Sequence, residues 1–280
     1  MGIMSSDYAN PPDLIDSHCH LDLPHFDDDR DEVVARARAA GVIAMVTQGV
    51  DVASSRQAVA LAERYPEVYA AVGIHPNDCA DFRPAMLDDI RALAAHPKVV
   101  AIGEIGLDDY WKTVPLDQQV RVLRLQLDLA AELGLPVVIH DRETHALIMA
   151  ELRAWVRDRL PGTSLARRRW PGVLHSFSGD LTMAQEAYDL GFVLGLAGPV
   201  TFKNARDLQA LAAQLDPARL MLETDSPYLT PHPYRGKRNE PARVKLTAEK
   251  LAELWEKPFA EVASLTTTTA QRFFGIDASF

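Results

Sequence analysis

The sequence predicts a (β/α)8 TIM-type barrel, on three observations. Eight short, apolar, β-rich runs recur along 280 residues, separated by longer stretches with helical spacing. Most of these runs are continuously apolar rather than alternating, as parallel strands are when both faces are buried. Almost every run ends on an ionisable residue, which in a barrel would collect those residues at one mouth.

The first run is LIDSHCHL (14–21), where Asp16, His18 and His20 share one strand face and Cys19 takes the other. VIAMVTQGV (42–50) follows Gly41, a helix-ending glycine. VYAAVGIHP (68–76) ends in His75, and VVAIGEIGLD (99–108) carries Glu104. Residues 116–133 are the clearest helix, with Val120, Leu123, Leu127 and Ala130 or Ala131 recurring on one face. Gly134 suits a left-handed cap there and Pro136 a stop. LPVVIHD (135–141) then presents His140, and GVLHSFSG (172–179) presents His175. FVLGLAGPV (192–200) follows Gly191, and LMLETDSPYL (220–229) ends the series with Asp225. An open doubly wound sheet is the runner-up. It lacks support, because no G-x-G-x-x-G follows the first run and there is no P-loop.

Apolar residues make up 48% of the chain, enough for one large core, and residues 14–280 read as a single domain. Residues 1–13 read as a loose polar leader, in which a Met1-Gly2…Ser6 myristoylation match is outweighed by chance. No signal peptide is visible and no apolar run approaches the roughly 20 residues of a membrane span. Two distant cysteines, Cys19 and Cys79, fit a reducing compartment, so a cytoplasmic protein is expected. No long apolar seam calls for an obligate oligomer, so a monomer is expected. The net charge of −10 argues against coating nucleic acid by bulk attraction. The charge is uneven, however. Residues 1–32 hold nine acids and one Arg, whereas 231–250 hold six bases and two acids. A local anionic ligand remains compatible with that pattern.

Taken singly, each polar strand end has a bland explanation. His140 reads as a hydrogen-bonded core histidine, Asp225 as a helix cap before Ser226-Pro227. Glu104 is harder to dismiss, since a carboxylate on so apolar a strand is costly to bury unpaired. Together, four histidines, a Glu and an Asp exceed the needs of one tetrahedral ion and suit two ions sharing a carboxylate. Metal-assisted hydrolysis is the chemistry this implies, with a water ionised near neutral pH.

These stretches resemble the TatD-type metal-dependent deoxyribonucleases of the amidohydrolase superfamily. The resemblance rests on DSHCHLD (16–22), VGIHP (72–76), IGEIGLD (102–108), LPVVIHDRE (135–143), GVLHSFSG (172–179), GPVTFKNA (198–205), LETDSPYL (222–229) and RGKRNEP (235–241). It implies a distorted barrel and two divalent ions (Mg, Mn or Zn) with no organic cofactor. His18, His20, Glu104 and Asp225 would hold one ion. Glu104, His140 and His175 would hold the other, with Glu104 bridging. Glu104 and Asp225 would be catalytic, Asp225 as proton acceptor, and His75 and Arg142 would contact substrate. Two positions depart from the family pattern: Asn77, where a second His is common, and Asp141, where a small residue is common.

The resemblance also implies DNA as substrate, cleaved from a 3′ end with a single-strand preference, in DNA repair or degradation. The sequence adds Lys203, Arg235, Lys237 and Arg238, in the loops that carry phosphate sites in many barrels. Tyr110, Trp111, Phe177, Phe202, Tyr228 and Tyr234 lie near strand ends, and about two of them are expected to stack on bases. The alternatives are another hydrolase on the same frame, acting on an amide, lactone, phosphotriester or D-aminoacyl-tRNA, and a non-enzymatic nucleic-acid binder.

Overall fold

A computed structural model describes residues 12–276; the segment 1–11 of the expected leader lies outside them. Eight parallel strands pair in chain order: β1 (Leu14–Cys19), β2 (Val42–Gln48), β3 (Val68–Val72), β4 (Val99–Asp108), β5 (Val137–Arg142), β6 (Gly172–Leu174), β7 (Val193–Leu196) and β8 (Leu220–Leu222). The ring closes between its last and first members. The Asp225 amide donates to the His18 carbonyl and the His20 amide to the Ser226 carbonyl, each at 2.8 Å. All eight expected runs therefore form strands. β6 and β8 are only three residues long, so His175 and Asp225 stand just past their strand ends.

One apolar cluster takes Ile15, Ala44, Val46, Ala71, Ala101, Val138, Val173, Val193 and Met221 from all eight strands, and these residues fill the barrel. Phe273 and Phe274 join the same cluster from the last helix, Phe259–Phe274. That helix plugs the barrel end away from the site. Its Thr267 hydroxyl donates to the Asp13 carbonyl at 2.8 Å, just before β1. Among the described residues no helix is long and apolar enough to cross a membrane.

The helix expected over 116–133 forms as Leu116–Leu133, with Gly134 left-handed at φ 73° and its amide bonded to Ala130. Its inward face carries two buried glutamines among the leucines. Gln126 accepts from the Ile74 amide at 2.7 Å and donates to the Ile74 carbonyl at 2.9 Å, beside His75. Gln119 does the same for Asp108, at 2.8 and 2.9 Å, and also donates to Val114. Loops leaving β3 and β4 would otherwise carry unpaired backbone groups in an apolar setting, at about 1–3 kcal/mol each. The two amides thus hold both loops in register with the polar residues at the barrel mouth.

Candidate metal centre

Glu104 sits at the centre of the barrel mouth, buried, with its two oxygens facing different groups. Oε2 lies 3.4 Å from His18 Nε2 and 3.6 Å from His20 Nε2. Asp225 Oδ1 completes this side, 3.6 and 3.3 Å from the same two nitrogens, which are 3.3 Å from each other. An ion with bonds of about 2.1 Å sets tetrahedral ligands about 3.4 Å apart. The first set therefore already has ligand spacing.

Oε1 faces the second set. His140 Nδ1 lies 2.8 Å away and His175 Nε2 2.9 Å away, with 3.3 Å between the two nitrogens. Four imidazoles and two carboxylates thus turn lone pairs toward shared points. Without protons or a cation between them they would repel, so this donor set fits divalent metal. Gly106 makes the second set possible: a Cβ there would stand 1.9 Å from the His140 carbonyl oxygen, and its φ is +154°. Asp225 reaches the first set from a left-handed backbone, φ 53°, which Asp tolerates better than most residues.

The titration behaviour follows from this crowding. Burial pushes the Glu104 carboxyl up, but the imidazoles of His175, His18 and His75 and the His140 hydrogen bond bring it well below the ordinary range. Burial lowers His18. Burial also opposes the charged form of His20, yet Asp225 and Glu104 outweigh it and raise this ring to about 9. His140 and His175 are raised too, against burial, by their carboxylate neighbours.

His75 enters the same cluster, its Nε2 3.6 Å from Glu104 Oε1. Its Nδ1 accepts the Asn77 amide at 3.1 Å, so neutral His75 carries its proton on Nε2 and offers a donor to the cavity. Burial, followed by the charge of His140, holds its pKa near 3 and keeps it neutral. Asp16, on the same face of β1 as His18, does not join the cluster. Its carboxylate accepts from the Thr224 amide and hydroxyl at 2.8 and 2.6 Å.

Three residues emerge that the sequence reading missed. Asp108 lies 3.1 Å from His140 Nε2, and Glu223 lies 3.5 Å from His175 Nδ1. Each backs one of the clustered imidazoles on the side away from Glu104. Asn239 donates to the carbonyls of Thr224 and Tyr228, and so ties the RNEP stretch to the loop of Asp225. The motifs IGLD, LETD and RNEP were visible, but nothing in them marked which acid would face a metal and which an imidazole.

The cavity over the cluster measures about 480 Å³ and is lined by Asn77, Asp78, Trp111, Arg142, Tyr228 and most of the cluster, His18 lying beneath it. Among the described residues, Arg142 is the only Arg or Lys that lines it. Its guanidinium lies on the Tyr110 ring, 3.7 Å from the centroid, and has no carboxylate partner among the described residues. Asp141 turns instead to Thr144 and His145, at 2.7 and 2.6 Å. The other expected cations do not line this cavity. Arg238 pairs with Asp29 at 2.7 and 2.8 Å. Arg235 covers Phe202, and Lys203 lines a separate cleft with His232 and Glu249. Lys237 bonds through its backbone to Tyr234 and Thr230. Of the six aromatics, Trp111 and Tyr228 line the cavity, while Phe177 is buried.

Fold and site together define a class: a barrel hydrolase that depends on divalent metal. The chain belongs to the TatD related DNase family, whose model matches residues 15–275. It is 42% identical to the uncharacterized metal-dependent hydrolase YabD of Bacillus subtilis, over 94% of this chain and 100% of that protein. It is 36% identical to the 3′-5′ ssDNA/RNA exonuclease TatD of Salmonella typhimurium, over 94% and 99%. Among solved structures, the TatD homologue YjjV of Escherichia coli superposes with a TM-score of 0.86 at 32% identity, covering 94% and 98%.

Proposed function

We propose that this chain is a nuclease that hydrolyses phosphodiester bonds of single-stranded DNA from the 3′ end, using two divalent ions (Mg, Mn or Zn). The observation that carries the reading is the division of Glu104, with one oxygen toward His18, His20 and Asp225 and the other toward His140 and His175. Relatives of similar length that are named 3′-5′ ssDNA/RNA exonucleases support the substrate and polarity.

Divalent ions held by these residues would supply Lewis acidity to the phosphate and to the attacking water. The residues do the rest. Glu104 bridges the two ligand sets. Asp225, whose carboxyl is drawn down by the His20 hydrogen bond and nearby imidazoles against its burial, is ionised, and it is the carboxylate beside His18 and His20 to which we assign the water's proton. His75 donates from Nε2 to a phosphate oxygen without adding charge. Arg142, freed of carboxylates and seated on Tyr110, takes a second oxygen. Lys203, Arg235, Lys237 and Arg238 lie outside the cavity and serve, at most, the strand beyond it.

The two cysteines are free and buried, which supports a reducing cytoplasm, and we assign a monomer acting in DNA degradation or repair. The test is cleavage of a 5′-labelled single-stranded oligonucleotide with and without EDTA, beside a panel of amides, lactones and phosphotriesters. A ladder shortening from the 3′ end, abolished by chelator and restored by Mn2+, is expected. Turnover confined to the small-molecule panel would overturn the reading.

A further inference from the structure

We propose that Trp111 is the stacking platform for the nucleobase adjoining the scissile phosphate, and that the loop Asp108–Val114 is built to hold it there. The inference rests on the nuclease reading above. It adds a residue that sets how the substrate is gripped, and the six aromatics of the sequence do not distinguish it.

Trp111 is 60% exposed, whereas Trp155 and Trp170 are buried and the Trp255 indole is bonded to the Ala212 carbonyl. A ring of this size left in water forgoes a large apolar burial. Here it lines the metal cavity. The loop beneath it is nonetheless tightly fixed. Asp108 Oδ1 accepts the amides of Tyr110 and Trp111 at 2.8 and 3.1 Å, and Lys112 turns the chain at φ 54°. Gln119 binds both ends of the loop, and the Thr113 hydroxyl donates to Asn77 at 2.8 Å. These bonds are all internal to the protein and ask nothing of a ligand, an arrangement that favours binding.

The neighbours identify the ligand chemistry. Tyr110 meets the Trp111 ring edge to face at 5.0 Å and carries Arg142 on its own face. An unpaired guanidinium thus stands beside an open indole, 5.5 Å from its ring, at the entrance to the metal cluster. Phosphate for the cation and a flat base for the ring is the combination a nucleotide offers. Across the barrel, past β8, Tyr228 is half exposed and bounds the opposite wall. Stacking reads no sequence, so this grip tolerates every base.

The experiment uses Mn2+-loaded wild type, Trp111→Ala and Trp111→Phe. Substrates are single-stranded oligonucleotides in which a baseless tetrahydrofuran unit replaces each of the two 3′-terminal nucleotides in turn. Loss of one base–aromatic stack costs about 5- to 150-fold in affinity. At one position, removing the base from the substrate of wild type should raise KM as much as Trp111→Ala does. Combining the two should cost no more than either alone. Trp111→Phe should stay within about threefold of wild type. The part of the tryptophan emission that Trp111→Phe removes should be quenched by a phosphorothioate-linked oligonucleotide, and less by its baseless counterpart. Costs that add at both positions, or an Ala variant equal to wild type in KM and binding, would overturn the platform. If wild type cleaves no oligonucleotide, the nuclease reading fails, and the quenching titration still decides whether the indole meets a base.

Discussion

The Nε2 of His140 lies 3.1 Å from Oδ2 of Asp108, on the side of the ring away from Glu104. Asp108 is an ionised acceptor: burial pushes its carboxyl up, but hydrogen bonds from His140, Trp111 and Asn77 hold it well below the ordinary range. The proton of neutral His140 is thereby kept on Nε2, and the Nδ1 lone pair is left for the cluster. Asp108→Asn should weaken binding of the second cation by about 10- to 100-fold and leave the first near its original affinity. Calorimetric titration with Mn2+ would show this as two separated binding events. Identical isotherms for variant and wild type would remove Asp108 from the metal site.

Glu104 serves both ligand sets, so its replacement should act on both. Glu104→Gln keeps the shape but removes the negative charge that both sets share. Metal content by elemental analysis should fall below one ion per chain. Cleavage should drop by about a thousandfold or more, the scale of losing several kcal/mol of metal assistance. A variant that retains two ions would show that the carboxylate does not bridge.

The metal should matter more as pH rises. His20 is raised from 6.5 to about 9: burial opposes its charge, but Asp225 and Glu104 prevail. Between those values the metal-free native state holds a proton that the unfolded chain has released. That contribution to stability is complete below pH 6.5 and lost as pH rises through about 9. Asp16, raised by burial to about 8, adds to the decline up to that pH. A cation replaces the ligand proton, so its binding strengthens over the same range. The difference in Tm between Mn2+-loaded and metal-free protein should therefore widen from pH 6.5 to 9. A gap that is constant across that window would contradict the exchange of proton for metal.

Two of the three arginines flagged by the sequence, Arg142 and Arg238, should part company. Arg142→Ala removes the only guanidinium that lines the cavity among the described residues, and oligonucleotide affinity should fall by about tenfold or more, as for a charge-assisted phosphate contact. Arg238 is paired with Asp29 and is part-exposed, and such pairs are worth about 0–1 kcal/mol. Arg238→Ala should lower Tm slightly and leave oligonucleotide binding within about twofold. Fluorescence anisotropy with a labelled single strand separates the cases. The reverse order of effects would return the phosphate contact to the basic segment.

The eight strands, the helix Leu116–Leu133 and its Gly134 cap were legible in the residues alone, because apolar periodicity and capping are local properties. The convergence of His18, His20, His75, Glu104, His140, His175 and Asp225 was legible too. Parallel strands of a barrel all end on one face, so their terminal residues must meet. Tertiary structure alone decided what each polar group faces. Asp108 and Glu223 sit behind His140 and His175, on the side away from Glu104, and Arg238 is held by Asp29, 209 positions away in the chain. It also left Trp111 open to the cavity while Phe177 went into the core. Periodicity states which side of a strand a residue occupies. The partner of a charge or the cover of a ring depends on loops that lie far apart in the chain and meet only when the barrel closes.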